Sequence, residues 1–246
     1  MNTENLSYLH KQLLNLGFGD KLNNELEEKI KNKEKEFTLT TTQTYSKDHV
    51  DYTLHYKLGS EKEMYFFNKY EAKIGDNQQP FYLNKGSGIT AKEAYNLLQG
   101  RAVHKQLENL EGEKYHAWII IDKNQQNKNG DNKLKTYTDG WNYKPERAID
   151  KMDIVGIGEA GAREKLLKSL EKGNRHEVTA LRDGKQVKLY IEANPAEHRV
   201  NLTNYKGEAQ QLEHYKKPEA KQDLKKAEHQ TQDQSKKKSK GPKMSA

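Results

Sequence analysis

The chain has 246 residues and no cysteine, with 43 lysines and arginines against 36 aspartates and glutamates, a net charge of +7. The missing thiol excludes disulfides, cysteine-ligated zinc, iron–sulfur clusters and thiol catalysis. The longest unbroken apolar run, Ala117–Ile121, falls far short of the roughly 20 residues of a membrane-spanning helix. The opening MNTENLSYLHK also lacks the basic-then-apolar pattern of a secretory signal, so a cytoplasmic protein with no membrane partner is expected.

In chain order, Leu6, Leu9, Leu13 and Leu16 line one helix face, and Gly17 supplies a left-handed stop. Leu22, Leu26 and Ile30 predict a second helix, ending at Asn32. Strand signals follow at Phe37–Thr42, at Val50, Tyr52, Leu54, Tyr56 and Leu58 on strictly alternate positions, and from Met64 to Phe67.

Thr90-Ala91-Lys92-Glu93 is a capping box, in which the Thr and Glu side chains satisfy free backbone amides at a helix start. The helix carries Ala94, Leu97 and Leu98 and stops at Gly100. A strand over Ala102–Leu107 pairs with Tyr115–Ile121, where Tyr115, Ala117, Ile119 and Ile121 share a face. A polar loop, Asn124–Asn132, leads to a strand at Leu134–Tyr137.

A short helix from Pro145 and a flexible glycine-containing linker come next. Leu166, Leu167 and Leu170 then mark a helix stopped by Gly173. Val178–Leu181, the Asp183-Gly184 turn and the alternation Val187, Leu189, Ile191 read as a hairpin. After Asn194-Pro195, Val200 and Leu202 form a last strand.

The pattern predicts an α+β fold of three repeat-like αβββ units, each a helix followed by antiparallel strands. The divisions are 1–75 with the leading helix, 76–143, 144–205 with the linker helix, and a disordered lysine-rich tail over 206–246. Leu, Ile, Val and Phe make up only 18% of the chain, and residues 206–246 hold just two of them, Leu212 and Leu224. Residues 1–205 hold 13 of the 14 tyrosines, so a lean, tyrosine-rich core is expected there. The last 41 residues carry 11 lysines against six carboxylates, or +5, and leave +2 to the body. Such a segment lacks the apolar surface to offset its ordering entropy.

Gly156-Ile157-Gly158-Glu159-Ala160-Gly161 matches G-x-G-x-x-G, which in a strand–loop–helix context lets a pyrophosphate approach the backbone. Here only Ile154-Val155 precedes it and a hairpin follows, so Gly156, Gly158 and Gly161 read as a decoy within the linker. The nine histidines lack metal-ligand spacing, and no G-x-S-x-G elbow occurs. A non-enzymatic protein with no metal and no cofactor is expected. Tyr65 and Trp118 are candidate stacking residues for single-stranded nucleic acid within an aromatic set, most of which reads as core. Lys225, Lys226, Lys236, Lys237, Lys238, Lys240 and Lys243 are the candidate phosphate contacts of the tail.

Four strings occur in order: Met64-Tyr65-Phe66-Phe67-Asn68-Lys69-Tyr70, Leu97-Leu98-Gln99-Gly100-Arg101-Ala102-Val103, Gly112-Glu113-Lys114-Tyr115-His116-Ala117-Trp118 and Glu192-Ala193-Asn194-Pro195. Together they resemble a bacterial family of unknown function carried on conjugative and other mobile elements, with related modules appended to type IA DNA topoisomerases. The resemblance covers the span from Leu6 to Asn204 and carries over no catalytic or binding residue. It implies an accessory module acting near DNA or a DNA-processing partner such as a topoisomerase. A protein–protein interaction scaffold that binds no nucleic acid is the alternative.

Overall fold

The computed structural model describes residues 1–60, 63–84, 88–109 and 111–218. The chain is mixed α and β, with three antiparallel sheets and short helices. Its described residues divide into two compact units, Met1–Asn142 with Glu171–Asn174, and Tyr143–Leu170 with the chain from Arg175 to Pro218.

The first unit opens with helices α1 (Thr3–Asn15) and α2 (Asn23–Lys31). Asn2 caps α1 by accepting a hydrogen bond from the Asn5 amide. Strands β1 (Glu36–Tyr45), β2 (Asp48–Leu58), β3 (Tyr65–Ile74) and β4 (Asn77–Tyr82) follow as one meander in sequence order. The alternation read from Val50 to Leu58 is realised: Val50, Tyr52, Leu54 and Tyr56 are buried, and Leu58 packs against the same core. That core joins the sheet to the leucines of α1 and to Leu22, Leu26 and Ile30. Helix α3 (Ala91–Leu98) starts at the expected capping box, with both reciprocal bonds present, and leads to β5 (Val103–Glu108), β6 (Lys114–Gln126) and β7 (Asn132–Thr138). These three make the second sheet.

In a core with few aliphatics, tyrosine hydroxyls must find acceptors. Tyr52 donates to the Ala91 carbonyl at 2.7 Å, and Tyr70 donates to the Ile89 carbonyl at 2.6 Å. Asn5 acts as a backbone surrogate, donating to the Tyr65 carbonyl at 3.0 Å and accepting from the Tyr65 amide at 2.8 Å. Tyr56 is the exception. Its ring stacks between Phe37 and Phe67, and its buried hydroxyl has no partner among the described residues.

The second unit holds α4 (Glu146–Ile149), α5 (Ala162–Glu171) up to Leu170, and a third sheet of β8 (His176–Arg182), β9 (Lys185–Asn194), β10 (Arg199–Thr203) and β11 (Ala209–Gln210). The order is β11-β10-β9-β8. Asp183 and Gly184 both take positive φ, 51° and 76°, as the two-residue hairpin turn requires.

The structure departs from the sequence expectations at five places. The first sheet has a fourth strand, β4, which Pro80 conceals because proline reads as a strand breaker; an edge strand tolerates it. Helix α2 turns left-handed at Lys33 (φ 55°) instead of at Asn32, whose φ is −75°. The polar stretch Asn124–Asn132 is mostly a hairpin: β6 runs to Gln126, and the turn closes with the Asn127 amide donating to Asp131. The helix expected from Pro145 is present as α4, but the chain between it and the glycine motif is not a free linker, since Met152 and Ile154 are buried. Finally, the folded chain continues past Lys206. β11 adds to the third sheet, Tyr215 is fully buried, and Met152 bridges Lys216. One tyrosine supplied the apolar surface that the scarcity of aliphatics concealed.

Two contrasts test this packing. Gly173 (φ 74°) would place a Cβ 2.8 Å from the Ala102 carbonyl oxygen, whereas Gly100 (φ 79°) has open space around it. Gly100→Ala should therefore cost only the left-handed strain of about 1–2 kcal/mol, and Gly173→Ala should lower stability further, measured by urea unfolding. Tyr70→Phe should cost about 1–3 kcal/mol by orphaning a buried carbonyl acceptor. Tyr56→Phe, which deletes an unpaired hydroxyl, should leave the unfolding midpoint unchanged or raise it.

Candidate functional site

A cleft of about 550 Å³ lies over the second sheet of the first unit. Ile119 and Ile89 lie in it, Leu107 and Leu134 are among its apolar lining, and Tyr82 and Tyr115 add rings. Its geometry follows from the sequence: Leu107, Tyr115, Ile119 and Leu134 fall on one pleat face, because Leu107 pairs with Tyr115 and Ile119 lies two residues from the Ile121–Leu134 pair. Tyr82 is 62% exposed and Leu134 40% exposed, so the apolar surface here is open. Two lysines border it. Lys105 is neutralised by Glu93, while Lys114 faces Glu108 across the β5–β6 ladder. The volume lies within the usual range for ligand or peptide sites, and the lining is apolar with few charges. Among the described residues, no nucleophile–base pair converges in it. The arrangement suits contact with an apolar surface.

Tyr82 escaped the sequence reading because it ends the strand that Pro80 concealed. Its signal was the alternation Gln79, Phe81 against Pro80, Tyr82, where Phe81 is buried and Tyr82 faces outward.

The two candidate stacking residues lie in the core, the reading expected for most of the aromatic set. Tyr65 is 3% exposed and its ring packs on Phe37; Trp118 is 6% exposed and packs on His104. Neither offers a free face to a base, because sheet residues of this size were needed as core. The tail candidates Lys225, Lys226, Lys236, Lys237, Lys238, Lys240 and Lys243 lie outside the described residues.

The glycine motif belongs to the second unit. Its lead-in pairs along β8 in antiparallel fashion: Val155 donates to the Thr179 carbonyl and Leu181 donates to the Asp153 carbonyl. That is not the buried parallel strand of a dinucleotide fold. Two of the loop amides are used internally, Glu159 donating to the Gly156 carbonyl and Ala162 to the Glu159 carbonyl. The Glu159 carboxylate sits over Gly156, 3.3 Å from where a Cβ would lie, so a negative charge occupies the approach that a pyrophosphate would need.

A depression of about 270 Å³ adjoins the loop, with His176 and Glu177 in its lining. Burial and the neighbouring Lys165 hold the His176 pKa below its ordinary value. Hydrogen bonds from Lys188 and Tyr190 hold the Glu177 carboxyl low, and both of those donors sit on it within 3.1 Å. Glu177 is thus engaged in a surface network. Among the described residues, no group of three or more histidines and carboxylates is placed to hold a metal ion, and no helix is long and apolar enough to cross a membrane.

Fold and cleft together define an α+β protein of antiparallel sheets with an open apolar trough. Compared with family models, curated proteins and solved structures, the chain gives no match in any of the three.

Gly158 has no positive φ, and a Cβ there would meet nothing within 4 Å. Gly158→Ala should therefore stay within about 0.5–1 kcal/mol of wild type. ATP, NAD and NADP should leave the melting temperature unchanged, since a ligand raises it only by binding the native state. A reproducible rise with any of them would restore the nucleotide reading.

Proposed function

We propose that this protein is a non-enzymatic accessory module of a bacterial mobile element, acting near DNA or a DNA-processing partner such as a topoisomerase. Its contact with nucleic acid is non-specific and made by the basic tail. The family context rests on the four sequence strings above. The same reading takes the three helix-and-sheet stretches, whose helices end at Lys33, Gly100 and Gly173, as descendants of one αβββ unit.

The observation that carries the nucleic-acid contact is the segregation of charge. Residues 219–246 hold eight lysines against four carboxylates, with Leu224 and Met244 as the large open-chain apolar residues. In the folded units, by contrast, many cations sit on a carboxylate: Lys31 on Glu27, Lys57 on Glu36, Lys69 on Glu71, Arg163 on Asp150 and Lys188 on Glu177. Phosphates gain most from cations not already neutralised, through release of condensed counterions.

The exposed Tyr82 and Leu134 of the cleft favour a second reading, a scaffold that binds protein and no nucleic acid. One experiment separates the two. The full chain should bind oligonucleotides weakly, with Kd about 10⁻⁴–10⁻⁶ M, insensitive to sequence and falling steeply between 50 and 200 mM salt. A chain ending at Pro218 should lose that binding. Equal binding by the shortened chain would remove the tail from the mechanism, and no binding by the full chain at low salt would leave the scaffold reading.

A further inference from the structure

Sheet edges expose rows of unpaired amides and carbonyls, and proteins blunt them with charge, proline, short length or a covering segment. Five of the six described edges in this chain are blunted in one of these ways. β4 carries Pro80 at its centre, and the Gln79 side chain reaches the Asn132 carbonyl at 2.9 Å. β5 carries Lys105 and Glu108, and β7 carries Lys133 and Lys135. β8 is covered by the Asp153–Val155 segment. β11 has two residues.

β1 is different. It runs ten residues with no proline and, from Phe37 to Tyr45, no charge. Its backbone orientation follows from the hairpin. The two-residue turn Ser46-Lys47 makes Tyr45 and Asp48 a hydrogen-bonded pair, and at the other end Leu58 donates to the Lys35 carbonyl at 2.8 Å. Odd-numbered residues therefore bond β2. The amides and carbonyls of Glu36, Thr38, Thr40, Thr42 and Thr44 point away from the sheet, and none has a backbone partner among the described residues.

We infer that the occupant of this edge is a second copy of β1, paired antiparallel about a two-fold axis at Thr40. The sequence is self-complementary in that register. Thr40 meets the partner's Thr40, Thr38 meets the partner's Thr42, and Glu36 meets the partner's Thr44. Every pair is a hydrogen-bonding pair, because all five residues face outward. The side chains of these threonines are exposed on the sheet face, where directly opposed Thr–Thr pairs are favourable. No like charges meet, which a segment such as β7 with Lys133 and Lys135 would not achieve. The isologous pairing closes on itself and joins two four-stranded sheets into one, so it gives a dimer and not a fibre.

The test uses the full chain and light scattering across a concentration series, which should give a reversible monomer–dimer equilibrium. Thr40→Lys sets two lysines opposite each other at the axis and should raise the dimer Kd about tenfold or more. Thr40→Pro removes an amide that β2 does not use, and should do the same while leaving the melting temperature near wild type. A charge-swap pair guards against misfolding: a Thr38→Lys, Thr42→Lys chain and a Thr38→Glu, Thr42→Glu chain should each dimerise poorly alone and together form a heterodimer at least about tenfold tighter. Amides of Thr38, Thr40 and Thr42 should gain hydrogen-exchange protection as concentration rises. A chain that stays monomeric throughout, or a dimer indifferent to both Thr40 variants and to charge swapping, overturns the inference.

Discussion

The hydrogen bonds from Tyr52 and Tyr70 to the carbonyls of Ala91 and Ile89 set the organisation of the first unit. A chain short of aliphatic residues fills its interior with phenol rings, and each buried hydroxyl costs stability unless an acceptor lies within reach. Both acceptors lie at the N-terminal end of α3, so satisfying the tyrosines fixes where that helix begins. The Ala91 amide, donating to the Leu16 carbonyl at 2.8 Å, ties the same point to the end of α1. One short segment thus anchors two helices to one sheet.

The consequences reach the second sheet. With α3 held at its start, its C-terminal stop at Gly100 determines where β5 departs, and Arg101 is clamped by Asn96 and the Gly173 carbonyl. Val103 and Ile119 are then drawn into the common core and Leu107 packs against its edge, whereas Tyr115 and Leu134, on the same face, run beyond its cover. The open trough is the remainder of a face that the core fills only in part.

Charge is arranged differently in the folded units and at the end of the chain. Lysines on the sheets and helices meet carboxylates across a ladder or one helical turn, as Lys57 meets Glu36 and Lys168 meets Glu164. These exposed pairs contribute little stability, but they cancel the long-range field of the body. The lysines after Pro218 outnumber their carboxylates two to one. Solubility, edge protection and attraction to phosphate are therefore distributed over different segments. β1 is the described edge that has neither internal charge, proline, a covering segment nor short length.

Local signals in the sequence determined the elements. Period-two alternation from Val50 to Leu58, the Thr90–Glu93 capping box and the Asp183-Gly184 turn each depend on neighbours within a few residues, and each appears where the sequence put it. The segregation of positive charge toward the end of the chain is likewise a property of composition. Tertiary structure decided what depends on distant partners. β4 exists because β3 supplies a ladder to a proline-containing segment that has no strand propensity of its own. Tyr65 and Trp118 became core instead of a binding platform because other elements covered their faces. Tyr215 extended the fold beyond Lys206 because a buried site accepted a ring that no local pattern announces. The glycine motif lost its nucleotide meaning when its lead-in paired antiparallel with β8 and Glu159 closed over Gly156. Periodicity fixes which side of an element is apolar; only the assembled chain determines which apolar sides are covered and which are left open.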